Sequence, residues 1–356
     1  MVKYLQKSGH FLGRMRIYFY ICELLLTRHW MIDNNFKKKV VGVDIRIDRT
    51  ALGVVNIRGE ILARNEFVTT DYPNISEFVA KLAEAIVDMT EVDGSFTEIR
   101  SVGISVPSGN FITGCIENSP NFPWKGIVPL AAMLRDRLGL AVAVDNNANV
   151  IAMAEQAFGA AHGMKDFILV NLGSGTGSCF FSNGHIHRGI HGFSGELGHT
   201  TFIPGGRPCG CGKQGCLEAY TAVKGVLQTA REVLAESDKP SLMRTDAELK
   251  VRLIVEFCKV GDELAIEVMR RTGVCLGMAL AQYATLLNPE AIILSGVVSK
   301  AGKWLLEPAN EAFEAHVFHN MKDKVKLFIS DYDDKEINVL GASVLAWGVK
   351  EYSLFI

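Results

Sequence analysis

The sequence predicts an α/β protein built as two lobes, and three observations carry that expectation. Short runs rich in Val and Ile alternate with stretches whose apolar residues recur at helical spacing, the pattern of sheets covered by helices. Hairpin strands leading into helices occur twice, first from Val40 and again from Asp166, each half opening on a polar turn. The length, 356 residues, is about two domains' worth and enough for substantial cores.

Taken in order, residues 40–45 and 51–55 read as hairpin strands, with a third strand over 61–67. Ile75, Val79, Leu82 and Ile86 repeat at helical spacing. A buried strand over 100–106 ends at the turn Pro107-Ser108-Gly109-Asn110. The loop Asn118-Ser119-Pro120-Asn121-Phe122-Pro123-Trp124 then precedes a helix over 130–137. A strand over 140–144 feeds Asp145-Asn146-Asn147-Ala148-Asn149 and a helix over 150–161. The second hairpin starts over 166–172 and turns at Gly173-Ser174-Gly175-Thr176-Gly177-Ser178. Helices are expected over 217–234, 247–258 and 262–287, short strands over 291–294 and 325–329, and a last helix over 340–347.

Residues 1–39 do not match this pattern. Lys3, Lys7, Arg14, Arg16 and Arg28 surround an apolar run over 17–26 that Glu23 interrupts. A signal peptide or a membrane-surface helix would look similar, but no small-residue cleavage site follows. Met31 offers a clean second start, so 1–30 is expected to be an upstream extension. The predicted division is therefore an N-terminal extension over 1–39, a small lobe over 40–146 completed by the C-terminal helix, and a large lobe over 147–356.

Composition narrows the function classes. A net charge of −2 gives no electrostatic footprint for nucleic acid or an anionic membrane, and no apolar run reaches the ~20 residues of a bilayer span. The eight cysteines, three of them gathered into one motif, point to a reducing, cytoplasmic compartment rather than a disulfide scaffold.

That motif is the densest chemical signal in the chain. His199, Cys209, Cys211 and Cys216 lie within an eighteen-residue stretch broken by Gly205, Gly206, Pro208, Gly210, Gly212 and Gly215. One imidazole and three thiolates make the closed tetrahedral shell that structural zinc prefers, and glycines let a backbone fold tightly around a small ion. The bland alternative is a glycine-rich loop whose cysteines merely pack. Glu196 and Glu218 bracket the cluster, and carboxylates beside a metal-stapled loop suit the hydroxyls of a sugar, although alone they would read as solvated surface charges.

The pattern Gly-Glu-Leu-Gly-His, x9, Cys-x-Cys-x4-Cys-Leu-Glu over 195–218 resembles the signature of the ROK family of repressors, open reading frames and sugar kinases. The resemblance runs from Val40 to about Val349. It is strongest to the glucokinase-type members, through Phe111-Ile112-Thr113-Gly114, Pro120-Asn121-Phe122-Pro123-Trp124-Lys125-Gly126 and Gly341-Ala342-Ser343. It implies a two-lobed actin-like ATPase fold of duplicated ribonuclease H-like halves. It also implies zinc on His199, Cys209, Cys211 and Cys216, and a hexose held by Asn121, Asn146, Asn147, Glu196, His199 and Glu218. The 1–39 stretch is too short for the winged helix-turn-helix of ROK repressors, so DNA is not an expected partner.

Phosphoryl transfer is mainly positioning and charge stabilisation, with a carboxylate taking the proton of the attacking hydroxyl. The kinase pattern of the family is only partly present. Its first phosphate hairpin, Asp-x-Gly-Gly-Thr, reads Asp44-Ile45-Arg46-Ile47-Asp48-Arg49, so both glycines are lost and only the Arg46 and Arg49 side chains remain to meet phosphate. The second hairpin, with Gly173, Ser174, Gly175 and Gly177, is intact. The adenosine-side Gly-Gly reads Gly296-Val297. The family's catalytic Asp is Asn147, which takes no proton at neutral pH, and Asp145 is the nearest substitute.

The expectation is a glucokinase-like, hexose-binding protein with lost or very weak ATP-dependent phosphotransfer, working as a sugar sensor or as a regulator that assembles with copies of itself or with a ROK paralogue. The alternatives are an active glucokinase using ATP and Mg, and the effector domain of a ROK repressor. Glucose or an N-acetylhexosamine is the expected ligand.

Overall fold

The computed structural model describes residues 37–92, 96–120, 122–245, 248–332 and 336–349; the expected N-terminal extension lies outside them up to residue 36. The chain opens with β1 (Lys39–Ile45), β2 (Arg49–Asn56) and β3 (Ile61–Val68), followed by α1 (Ile75–Val92) and β4 (Ile99–Ser105). Three short strands, β5 (Gly109–Asn110), β6 (Cys115–Glu117) and β7 (Ile127–Val128), lead to α2 (Leu130–Leu138), β8 (Ala141–Asp145) and α3 (Asn147–Phe158). The second half holds β9 (Phe167–Leu172), β10 (Thr176–Ser182) and β11 (His185–Ile186), then α4 (Glu218–Thr221), α5 (Val223–Ala235), α6 (Val251–Lys259) and α7 (Glu263–Leu287). It closes with β12 (Ala291–Ser295), α8 (Lys303–His316), β13 (Lys326–Ile329) and α9 (Glu336–Trp347).

Two five-stranded sheets repeat one topology. The first has the order β3-β2-β1-β4-β8 and the second β11-β10-β9-β12-β13. In each, a three-strand antiparallel meander continues into two further parallel strands. Both halves thus place the carboxyl ends of three parallel strands at one edge, where loops are free to carry a site.

The cores follow from the residues on each sheet face. Phe78, Leu82 and Ile86 of α1 pack with Val41, Val43, Val102 and Ile104 on the outside of the first sheet. Val226, Leu276 and Leu280 do the same against Ile168, Val170, Ile292 and Leu294 of the second. The inner faces meet at Val40, Val55, Ile151, Phe167, Leu169 and Leu340, where α3 and α9 lie. Helix α9 comes very close to the first sheet. A Cβ at Gly42 would stand 2.2 Å from the Val339 carbonyl oxygen, and one at Gly103 2.0 Å from that of Ala342. Backbone can lie on backbone there only because neither strand carries a side chain at the contact.

The expected elements occur, with differences that have local causes. The helix expected over 217–234 divides at Ala222, whose extended backbone lets the Val223 amide reach the Gly173 carbonyl at 3.0 Å. Helix α3 begins at Asn147 rather than at 150 because Asn146 caps it. The helix expected from 247 begins at Val251. Helix α8 was not anticipated, since Pro308 interrupts its pattern, nor were the two- and three-residue strands β5, β6, β7 and β11, which are too short to show a period. Among the described residues no helix is long and apolar enough to cross a membrane.

Gly103→Ala should lower the unfolding free energy by about 2 kcal/mol or more, because the added methyl has to displace the α9 backbone. Chemical denaturation of the purified variant beside the parent measures this directly.

Candidate functional site

The site is built on strand ends. Asp44, Ser105 and Asp145 stand in register across β1, β4 and β8, and each is at most 2% exposed. From Asp145 the chain turns straight into α3. The Asn146 side chain caps this helix by accepting the Ala148 amide at 3.0 Å, and Asn147 Oδ1 also lies 3.0 Å from that amide. The expected base position is therefore the first residue of a helix, half-buried at the mouth of the strand edge.

Asp145 itself is fully engaged. Its Oδ1 accepts from the Asn146 amide and from Asn149 Nδ2, each at 2.8 Å, and its Oδ2 accepts from the guanidinium of Arg188. Burial pushes its pKa up, and the Arg188 charge opposes that shift. The acid of β1 is treated in the same way. Arg46 Nε donates to Asp44 Oδ2 at 2.7 Å, and burial raises the Asp44 pKa against the pull of Arg46. The other arginine of the first hairpin, Arg49, donates to Glu66 Oε2 at 2.6 Å. Both side chains considered for phosphate contacts thus already serve carboxylates.

The second hairpin turns tightly, with the Gly173 amide bonded to the Gly175 carbonyl at 2.9 Å. The amide of Thr176 donates to Glu218 Oε2 at 3.0 Å, so one of the expected sugar carboxylates reaches the glycine-rich turn. Gly296, with φ +92°, follows β12 and lies against the carbonyl of Leu172, which brings the expected adenosine-side glycine next to the same hairpin.

The loop carrying Glu196 and His199 is seated on β10. The Ser178 hydroxyl bonds the Gly195 carbonyl and accepts the Leu197 amide at 3.2 Å, while Tyr283 of α7 bonds Thr200. Farther on, Arg207 donates to the carbonyls of Ala219 and Gly225 at 3.1 Å and to Thr229 Oγ1 at 3.0 Å, and it also pairs with Glu232. Gly215 has φ +77°, and a Cβ there would overlap the Ile203 carbonyl oxygen at 1.7 Å. These constraints bring His199, Cys209, Cys211 and Cys216 together, with all their ligand atoms within 4.8 Å of one another. Cys211 and Cys216 sulfurs are 3.6 Å apart, and Cys209 Sγ is 3.7 Å from His199 Nδ1. Tetrahedral metal–sulfur bonds of ~2.3 Å give edges of about 3.7 Å, so the donor set fits a four-coordinate metal ion.

Glu218, at the start of α4, has its Oε1 3.5 Å from Cys209 Sγ. Glu196 keeps a solvent-accessible edge, but the protein around its carboxyl removes enough water to push its pKa up; His199 opposes this and Glu218 adds to it. The structure thus gathers Glu196, His199 and Glu218 within electrostatic reach. The Arg188–Asp145 pair ties their loop to the asparagines of α3, and β10 adjoins α3 where a Cβ on Gly177 would lie 3.2 Å from that of Ala148. Asn121 lies outside the described residues. Its neighbour Phe122 stacks on Trp124 with ring centroids 4.8 Å apart, and both are buried. Arg188, Arg207 and Tyr283 carry no mark in the sequence, since a lone polar residue outside a motif leaves no periodic or spacing signal.

Comparison with known proteins gives the same picture. The sequence model of the ROK family matches residues 40–348. A glucokinase of Halalkalibacterium halodurans is 33% identical over 320 residues, covering 87% of this chain and 94% of that protein. The crystal structure of a ROK family glucokinase from Streptomyces griseus, in complex with glucose and AMPPNP, superposes with a TM-score of 0.74 at 28% identity, covering 87% of this chain and 99% of that one. A ROK family transcriptional regulator, a homologue of the E. coli MLC protein, superposes with a TM-score of 0.78 at 25% identity, covering 88% of this chain and 78% of that one. With two sheets of one topology and the family matched over 40–348, this chain is a member of the ROK family with its actin-like ATPase fold.

Proposed function

We propose that this protein binds a hexose in the cleft between the strand ends and the metal loop, and that it senses the sugar or regulates a partner rather than phosphorylating it at a useful rate. One observation carries the reading: the base position is Asn147, and the carboxylate nearest in sequence, Asp145, already has both oxygens bonded. An amide cannot take the proton of an attacking hydroxyl, and loss of such general-base help typically lowers turnover by about 10²–10⁴-fold. Asn121, Asn146, Asn147, Glu196, His199 and Glu218 would hold the sugar, the carboxylates accepting from hydroxyls. Zinc would be structural, on His199, Cys209, Cys211 and Cys216. With Nδ1 of His199 on the metal side, Nε2 is left to meet a sugar hydroxyl. The small lobe over 40–146 and the large lobe over 147–356 would flank the cleft. A cytoplasmic protein that pairs with itself or with a ROK paralogue fits this role.

An active glucokinase is the second reading, favoured by the intact hairpin at Gly173, Ser174, Gly175 and Gly177 and by likeness to a glucokinase solved with glucose and AMPPNP. ATP with Mg would then be bound, with Gly296 on the adenosine side. A repressor effector domain is the third, favoured by likeness to a ROK transcriptional regulator.

Metal analysis of the purified protein should find about one zinc per chain. Cys211→Ser should lose most of it, and Gly215→Ala should lower its retention without removing a ligand. Calorimetric titration with glucose, N-acetylglucosamine and N-acetylmannosamine should show binding of at least one sugar, while ATP–Mg added at saturating sugar gives no heat. A coupled kinase assay should show negligible turnover that Asn147→Asp raises. Robust turnover in the parent, abolished by Asp145→Ala, would replace this reading with the kinase.

A further inference from the structure

The cysteines of the cluster differ in access. Cys211 is exposed, whereas Cys216 is 0% exposed at the start of the segment that leads into α4. Their sulfurs nevertheless stand 3.6 Å apart. A disulfide needs about 2.05 Å, so the two sulfurs have to close by only about 1.5 Å. Backbone pairing decides which of them moves. Cys216 is bridged to Thr201, and the next amide, of Leu217, bonds the Thr200 carbonyl at 3.1 Å. Cys211 lies instead in a turn closed by the Gly212 amide on the Cys209 carbonyl at 3.1 Å. A Cβ on Gly210 or Gly212 would meet open space, and Lys213 holds the far end of the turn by donating to the His199 carbonyl at 2.5 Å. The turn therefore has room to fold inward over a fixed Cys216.

An accessible thiol beside a second sulfur is the arrangement in which oxidation stops at a disulfide, because the neighbour attacks before a second oxygen is added. The Cys211 sulfur attacks one oxygen of hydrogen peroxide, the O–O bond breaks and hydroxide leaves. The Cys216 sulfur then attacks the Cys211 sulfenic acid, the S–O bond breaks and a second hydroxide leaves. Two electrons pass from the sulfurs to peroxide, and two protons turn the hydroxides into water. Closure removes two of the four donors of the cluster, and His199 with Cys209 cannot complete a tetrahedral shell. It also draws in the turn that starts at Cys209, whose Sγ lies 3.5 Å from Glu218 Oε1, while Oε2 of that carboxylate accepts the Thr176 amide. We propose that Cys211 and Cys216 are a redox pair: peroxide closes them to a disulfide, the cluster gives up its metal, and the glycine-rich hairpin loses its hold on Glu218. This rests on the metal reading above and adds to it a regulation by oxidant.

The test treats the zinc-loaded full chain with hydrogen peroxide and follows zinc release, disulfide mapping of its peptides by mass spectrometry, and amide exchange at Thr176. About one zinc per chain should leave as a Cys211–Cys216 bond forms. The Thr176 amide should exchange about tenfold faster, and dithiothreitol with added zinc should reverse all three changes. A parent that arrives with no metal and takes up none sinks the metal reading, and the switch with it. A zinc-loaded parent that forms no Cys211–Cys216 bond, or whose oxidation maps to another pair, sinks only the redox pair. So does a mapped bond that leaves the zinc in place or the Thr176 exchange unchanged.

Discussion

The structure depends on the contact of one helix backbone with one sheet. Helix α9 lies on Gly42 and Gly103 so closely that its carbonyl oxygens occupy the space of the missing side chains. That contact fixes α9 between the sheets and sets α3 beside it, where a Cβ on Gly341 would fall 2.0 Å from the Val150 carbonyl. With both helices held, β8 can end only where α3 begins, and Asp145, Asn146 and Asn147 are delivered to the edge that the second hairpin shares. Interiors pack as densely as organic crystals, so such a contact tolerates little adjustment and passes its geometry on to the strand ends.

At that edge the protein resolves its buried acids in one manner. Asp44 and Asp145 each sit at a strand end with almost no exposure, and each is met by an arginine of its own chain. A buried carboxylate needs such a partner, because desolvation otherwise drives it to take up a proton. A phosphotransfer site would keep acids there for a magnesium ion or a transferred proton. Here both acids are satisfied within the chain, each by an arginine. Arg46, in the turn after β1, contributes to this by neutralising Asp44.

The loop that carries the cysteine–histidine cluster shows how a short irregular segment is made rigid enough to present side chains. Ser178 and Tyr283 hold its first part, Arg207 staples its middle to α4 and α5, and Gly215 permits the turn that brings Cys216 back. The surrounding hydrogen bonds place Glu218 between the cluster and the Thr176 amide, so the cluster and the glycine-rich hairpin share one carboxylate. Outer contacts of this kind are what orient the groups of a metal-supported site.

The α/β class, the order of the long elements and the cysteine–histidine cluster are legible along the chain. Each is written in local periodicity or in residues close together along the chain, and physical chemistry acts on those directly. Helix α8 stayed hidden behind Pro308, and strands of two or three residues carry no period to read. That Asp145 is held by Arg188, that Arg46 serves Asp44 and that Glu218 reaches the Thr176 amide emerges only when the elements are packed. The partners of the first and last of these pairs are some forty residues apart and on different elements, and Arg46 could equally have faced solvent or a phosphate. Such choices are settled when the sheets and the two inner helices pack, because burial then forces each polar group to find whichever partner the fold has placed beside it.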